Sequence, residues 1–432
     1  MRAIKLPEPP GSSSSGMPEI FDRGISCVVR RVVIIGNGAA GAEHQSIGLV
    51  RALGLGNNYS LFRVNRPKDG YNYWLRWLPV SLHKKLDHVL KHFHSDWRQL
   101  PKLLQGKWED VDKPEEERST KIIPDADAQA IATLAREEIN REGPLLVVAS
   151  GRDTVPVAEA VKKLAPQFTF VVQIQHPRRR LDHFDMVITP LHDFYALSPA
   201  AQQEIPRLLR PFVTPQQPPD KHVVLTVGAL HHADNAMLRA AAATWHAELA
   251  PLPKPLLIVN VGGPTRYCQY GEDLVLELIS AVKQVLASCG SIRISFSRRT
   301  PHQISEMLCK ELGGHAKVYI WDGRGPNPHL GHLAWGDAFV LTADSVSMLS
   351  ESCSTGKPVY VIGGERCTWK IGDFHRTLRQ RGLIRSFTGA EDMSESWSYP
   401  PLNDNAEAAA RIRGALAERG WSLGLGCFYF YK

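Results

Sequence analysis

Nowhere in the 432 residues does an uninterrupted apolar run reach about eighteen positions, so the sequence offers no segment that would span a bilayer as a helix. CxxC spacing is absent as well. The seven cysteines, at positions 27, 268, 289, 309, 353, 367 and 427, are scattered and odd in number, and read as reduced thiols of a cytosol-facing protein. His88 and His92 have the i, i+4 spacing of a metal pair, but neither HExxH nor a third ligand accompanies them, and no metal site is expected. The formal charge of +7 permits an acidic partner or an anionic lipid surface. Nucleic acid is not expected, because zinc-knuckle spacing, an RNA-recognition signature and a helix-turn-helix pattern are all missing. The opening MRAIKLPEPPGSSSSGMPEI carries Glu8, Glu19 and three early prolines, and fits neither a secretory signal nor an amphipathic import helix. Residues 1–28 read as a disordered tail.

What is present is ample core, with 43% hydrophobic residues, enough for two domains. The clearest unit is the stretch 338–364, AFVLTADSVSMLSESCSTGKPVYVIGG. Phe339, Val340 and Leu341 make an apolar run suited to a strand covered on both faces, and residues 359–362 make another. Between them Asp344 or Ser345 can cap a short helix, Met348 and Leu349 give it an apolar side, and Gly356 can take the left-handed stop before Pro358. The unit is a compact βαβ crossover. Its helix start, with free N–H groups and a positive dipole end, faces the carboxyl edge of the sheet. Thr342 ends the strand there, Ser345 and Ser347 add hydroxyls, and Glu351 shares a face with Ser347, where its carboxylate could accept from paired sugar hydroxyls. Two readings stand: a diphosphate-plus-ribose cradle, or a capped core helix whose serines satisfy the backbone.

Elsewhere the same alternation recurs. Residues 31–35 predict a first strand, followed directly by Gly36-Asn37-Gly38-Ala39-Ala40-Gly41 and a helix with Ile47, Val50 and Leu53 in phase, a formal GxGxxG match. A dinucleotide site also wants an acidic residue about twenty positions on. Here the second strand, 59–64, ends in Asn65 and Arg66. NAD is therefore disfavoured, and Gly36, Gly38 and Gly41 read as a tight turn at the cleft that needs close backbone approach.

Residues 66–107 hold nine Lys/Arg against three Asp. Leu86, Val89, Leu90 and Phe93 form an apolar stripe with the basic side chains largely off it. The stretch reads either as core with a solvated basic face or as a membrane or partner surface carrying Trp74, Trp77, Lys84, Lys85 and Lys91. Near an anionic leaflet each basic residue contributes about 1 kcal/mol, so a net excess of six gives a few kcal/mol at most after screening and no stable anchor by itself. Residues 107–127 are charged and read as an insertion, with Asp125-Ala126-Asp127 capping the next helix.

Strands at 145–149, 170–175 and 185–189 are followed by Arg152, His176 and His192, placed where an open α/β sheet usually binds ligand; each is equally a structural turn residue. Prolines crowd residues 206–220, which mark the domain junction. Strands restart at 223–227 and 256–261, the latter leading to Gly262 and Gly263. The expectation is an α/β fold of two doubly wound Rossmann-like domains facing a cleft. The first spans 29–210, a linker 211–221 and the second 222–400; a helix in 401–422 returns to the first domain, and 423–432 form a tail.

VVIIGNGAAGAEHQSIGLVRALG, VVQIQHPR, FDMVITPLHD, LTVGALH, PNPHLGHLAWGDAFVLTADSVSMLSESCSTGKPVYV and SFTGAEDMSESWSYPPLND occur in this order. With them the chain resembles the plant Elongated Mitochondria family of fission proteins over residues 31–421. The resemblance implies a peripheral protein on the cytosolic face of the mitochondrial outer membrane that recruits a dynamin-related GTPase, on a fold similar to GT-B glycosyltransferases. In that larger group the position of Glu351 often grips a ribose, and the turn 343–347 meets phosphate. No sugar-transfer base is matched, so a non-catalytic adaptor without a cofactor is the expected function. The alternative is a GT-B glycosyltransferase or a sensor of a nucleoside diphosphate sugar.

Overall fold

The computed structural model describes residues 27–65, 86, 123–213 and 215–424. Trp74, Trp77, Lys84, Lys85, Lys91, His88 and His92, with most of the charged 107–127 stretch, lie outside the described residues.

Two six-stranded parallel sheets form the molecule. In the first the order is β3 (Tyr59–Arg63), β2 (Arg31–Gly36), β4 (Leu145–Ser150), β5 (Thr169–Ile174), β6 (Met186–Pro190) and β7 (Val223–Thr226). Its central strands are apolar without alternation because helices cover both faces. Val32 and Ile34 pack into one core cluster while Val33 and Ile35 pack into the other. The second sheet runs β10 (Val318–Ile320), β9 (Ser291–Phe296), β8 (Leu256–Val261), β11 (Ala338–Thr342), β12 (Val359–Ile362) and β13 (Arg385–Ser386). β11 pairs with β12 in the register Phe339↔Val359, as the βαβ reading requires. The arrangement is α/β with two Rossmann-like lobes.

One boundary differs from expectation. The strand at 223–227, assigned from sequence to the second domain, pairs with β6 in the first sheet, in the register Val187↔Val223. Proline in 206–220 interrupts local structure but does not dictate which sheet accepts the next strand. That choice is made by the edge of β6. The chain therefore leaves the first lobe after Thr226, and residues 227–234 make the crossing. At the other margins, β1 (Val28–Val29) pairs in parallel with β14 (Ser422–Leu423), so Val28 and Leu423, the inner ends of the two expected tails, lie in paired strands.

The helices that frame the seam are α1 (Ala40–Ala52), α2 (Asn235–Thr244), α3 (His329–Trp335), α4 (Val346–Cys353), α5 (Trp369–Gln380) and α6 (Asp404–Glu418). α6 returns to the first lobe: Ala408, Ile412 and Leu416 share a buried cluster with Leu49 and Val50 of α1. Its first turn also locks the crossing. Asp404 accepts from the Val227 and Gly228 N–H groups at 2.9 and 2.7 Å, and Ser350 of α4 accepts from Ala229 N–H at 2.9 Å. Asp127 caps the helix Ala128–Glu137, accepting from Gln129 N–H at 3.0 Å.

Candidate functional site

Val346 and Ser347, at the start of the helix that follows the turn after β11, line a cavity together with Gln45, Gln175 and His192 of the first lobe. Ser345 is the N-cap of α4 and accepts from Met348 N–H at 3.4 Å. Asp344 takes a different role. Its buried carboxylate accepts from Tyr270 O–H (3.1 Å), Gly263 N–H (3.1 Å), the Arg299 guanidinium (2.9 Å) and Thr342 O–H (2.7 Å). Thr342 in turn accepts from Gly262 N–H at 2.7 Å. This network explains the glycine pair. A Cβ on Gly262 would stand 2.2 Å from the Asp344 carboxylate, and one on Gly263 would stand 2.1 Å from the Arg299 carbonyl. Both glycines thus admit protein groups to close contact.

Glu351, one turn beyond Ser347, is bound at 2.7 Å by His329 Nε2 from α3. Burial alone would raise this carboxyl; the His329 imidazole overrides it and holds the group below the ordinary glutamate range. Burial alone would likewise lower His329, and Glu351 reverses that shift. Three further histidines ring the pair: His44 from α1, and His231 and His232 from the crossing. Burial lowers all three, His232 to about 4, so they surround the charged pair as neutral rings. The rings of His44 and His232 meet at a tilt of 43° with centroids 3.9 Å apart, bringing the first lobe against the crossing.

On the first lobe the glycine turn is filled by a side chain. Gly38 N–H donates to Glu43 Oε1 at 2.9 Å, and a Cβ on Gly36 would lie 2.5 Å from that oxygen. Arg63 then clamps Glu43 through two bonds of 2.8 and 2.7 Å. The chain's own carboxylate therefore occupies the position where a dinucleotide fold receives a phosphate. Gly38 has φ of +77°, which favours glycine, whereas a Cβ on Gly41 would meet open space.

Arg152 is exposed on the turn after β4, within electrostatic reach of Arg178, Asp193 and Tyr267. His176 meets Phe194 edge-on and its Nδ1 accepts from Arg178 N–H at 3.0 Å. The flanking Gln175 and Arg178 have left-handed φ of 69° and 56°, strained values for side chains of their size. His192 is buried against Phe374 of α5, and burial lowers it to about 4. Beside it Asp193 pairs with Lys370 at 2.6 Å, an ion pair that spans the two lobes. Burial would raise Asp193; Lys370 overrides it and keeps the carboxyl low. Together with Gln45, Gln175, His192 and Ser347 this ion pair lines an interlobe cavity of about 220 Å³.

A profile of the family described as mitochondrial fission ELM1 matches residues 40–416. The mitochondrial fission protein ELM1 of Arabidopsis thaliana is 56% identical over 428 residues, covering 98% of this chain and 100% of its own length. The chain belongs to the mitochondrial fission ELM1 family. An uncharacterized protein of Rickettsia prowazekii is 28% identical over 296 residues, 66% of this ELM1-family chain and 83% of its own. Among solved structures, the UDP-GlcNAc 2-epimerase of Methanocaldococcus jannaschii superposes with a TM-score of 0.48 at 13% identity, covering 88% of this chain and 98% of its own. The Neisseria meningitidis enzyme of that name, bound to UDP-GlcNAc, gives 0.46 at 13% identity, covering 90% and 100%.

In this ELM1-family chain His192 and Ser347 line one interlobe cavity, Thr342, Gly262 and Gly263 share the Asp344 network, Ser345 caps α4, and Glu351 pairs with His329. Sequence reasoning missed His329, His232, Lys370 and the hub role of Asp344. Lys370 carries no local motif, and His329 precedes its partner by 22 residues. Glu43 was accessible to inspection, standing two positions after Gly41, where an acidic side chain can fold back onto its own glycine turn.

Proposed function

We propose that this chain acts in mitochondrial fission as a non-catalytic peripheral adaptor, sitting on the cytosolic face of the mitochondrial outer membrane and recruiting a dynamin-related GTPase to division sites. The observation that carries the proposal is the 56% identity to the Arabidopsis fission protein over 98% of the chain. The pairing inside the cleft supports the non-catalytic part. Glu43 closes the glycine turn, Asp344 is bound by four donors, and Glu351 is held by His329, so groups that would otherwise meet a nucleotide are engaged within the protein. No described helix is long and apolar enough to cross a membrane. Attachment therefore combines the modest electrostatic pull of the 66–107 segment, through Lys84, Lys85 and Lys91 with Trp74 and Trp77, and binding to a protein partner.

Co-sedimentation tests this directly. Purified chain, the dynamin-related GTPase and isolated mitochondria are mixed, and the GTPase in the pellet is measured with and without the chain. Recruitment that depends on the chain, and weakens when Lys84, Lys85 and Lys91 are replaced by glutamate, is the expected result. Failure of the two proteins to associate even on mitochondria, together with unchanged organelle length after loss of the chain, removes the proposal.

The second reading, binding of a nucleoside diphosphate sugar, rests on the cavity beside Ser347. Its 220 Å³ falls below the roughly 300 Å³ at which small-molecule pockets usually begin, so a sugar nucleotide would have to part the lobes and break the Asp193–Lys370 pair. Calorimetry with a panel of nucleoside diphosphates and their sugars separates the readings. Tight binding that Glu351→Ala abolishes favours the second; silence across the panel leaves the adaptor.

A further inference from the structure

Cys268 and Cys367 lie 99 positions apart in sequence, yet they face each other across an antiparallel bridge. Thr368 N–H donates to the Tyr267 carbonyl at 2.7 Å, which makes Cys268 and Cys367 the non-hydrogen-bonded pair of that bridge. In such pairs the Cα atoms stand about 4.5 Å apart, inside the range a disulfide spans. Their sulfurs are 2.6 Å apart, although both cysteines are free thiols here. The other described cysteines contrast with them. Cys289 is buried in a different core cluster, Cys353 shares the pair's cluster but its sulfur faces the Leu383 carbonyl at 4.0 Å, and Cys27 and Cys309 are exposed.

The location gives the pair consequences. Cys367 Sγ lies 3.6 Å from the Ala343 carbonyl, at the turn that carries Asp344. Two residues on from Cys268, Tyr270 donates to Asp344. Immediately after Cys367 come Trp369, which packs edge-on against Tyr195, and Lys370, which grips Asp193; both reach the first lobe. Trp369 has a left-handed φ of 54°, so the backbone between the thiol and the interlobe ion pair is already constrained.

We propose that Cys268 and Cys367 form a reversible disulfide, a redox modification site in the second lobe's wall of the cleft. The oxidant class is a hydroperoxide. Cys367, the less completely buried residue of the two, attacks one peroxide oxygen through its sulfur as the thiolate; the O–O bond breaks, leaving a sulfenic acid and one water. Cys268 sulfur then attacks the sulfenic sulfur, forming S–S and breaking S–O, and the oxygen leaves as the second water with the remaining thiol proton. Two thiols lose two electrons and two protons, and hydrogen peroxide becomes two waters. An external dithiol reverses the reaction by two exchange steps and ends as a disulfide itself. The neighbouring Cys268 thiol and burial hold Cys367 protonated, so oxidation requires a local opening that lets the thiolate form, and the product is shielded once it forms. A protein exposed to the cytosol uses transient disulfides of this kind as sensors rather than staples.

Peptide mapping decides it. The full chain is reduced, desalted, treated with hydrogen peroxide, blocked with iodoacetamide in denaturant and digested with trypsin without reduction. Cys268 then falls in the peptide 267–283 and Cys367 in the peptide 367–370. A cross-linked species at the summed mass less two hydrogens, absent before peroxide and removed by dithiothreitol, is expected. Its formation should raise the thermal midpoint by several degrees and revert with reductant. Recovery of both peptides fully alkylated, at peroxide doses that oxidise the exposed Cys309, overturns the proposal, as does cross-linking of Cys367 mainly to another cysteine. Because the mapping uses the unmodified protein, it stays decisive even where Cys367→Ser does not fold; where that variant folds, it must lose the cross-link.

Discussion

Replacing Glu351 with alanine distinguishes a structural ion pair from a ligand contact. The carboxylate is buried and its partner His329 keeps about a quarter of its side chain exposed, at a separation of 2.7 Å. Breaking a buried pair by deleting one member typically costs about 3–5 kcal/mol because a charge is stranded. Here the stranded group is an imidazole, which can release its proton, so the expected loss is smaller, about 2 kcal/mol near neutral pH. For a lobe of this size that lowers the thermal midpoint by roughly 4–8 °C. The pH dependence supplies a sharper check. Folding raises His329 above 6.5, so its stabilisation is complete below that pH and fades as pH rises through the folded value. Folding lowers Glu351 below 4.5, so its contribution is complete above that pH and fades as pH falls. The wild-type advantage over Glu351→Ala is therefore largest between about 4.5 and 6.5 and shrinks toward pH 8.5. Urea unfolding of both proteins from pH 5 to 8.5 measures it. Equal stability across that range would mean that no such pair forms and that the carboxylate is available to a ligand, refuting the reasoning.

Three further outcomes follow from named contacts. Lys370→Ala leaves the buried Asp193 carboxylate with the Thr189 hydroxyl as its side-chain donor and removes the ion pair across the seam, and should cost about 3 kcal/mol and speed amide exchange at the cleft edge of α5, read by mass spectrometry. Gly262→Ala drives a methyl into the Asp344 carboxylate; far-UV circular dichroism should stay native while the unfolding midpoint falls by the equivalent of about 1–3 kcal/mol. Burial raises Asp404 to about 6 despite its two backbone bonds. Because that folded value lies above the ordinary 3.8, its contribution falls as pH rises from about 4 to 6, a slope that Asp404→Asn should remove when unfolding is compared at pH 4.5 and 7.

How much of this was legible depends on the range over which each feature is encoded. The β11–α4–β12 unit could be read directly, since continuous apolar strands, a serine cap and a glycine stop are all local signals. Asp127 as a cap is local in the same way. The assignment of β7 failed because a four-residue strand after a proline-rich stretch carries no mark of the sheet it joins; the open edge of β6 selects it. The cleft was legible as a place and much less so as chemistry. Strand ends and glycine turns point to where two parallel sheets expose their carboxyl edges, but the partners of the charges found there come from other elements. Arg63 reaches Glu43 across 20 residues, His329 reaches Glu351 across 22, and Arg299 reaches Asp344 across 45. A buried carboxylate left alone costs several kcal/mol, so a cleft that closes on itself must draw its counter-charges from whichever segments the fold delivers. That requirement accounts for the histidines on the crossing and for Lys370 at the start of α5. It also explains why residues that fit a nucleotide cradle by their spacing can be found hydrogen-bonded to the chain's own side chains, as Glu43 is to Arg63 and Glu351 to His329.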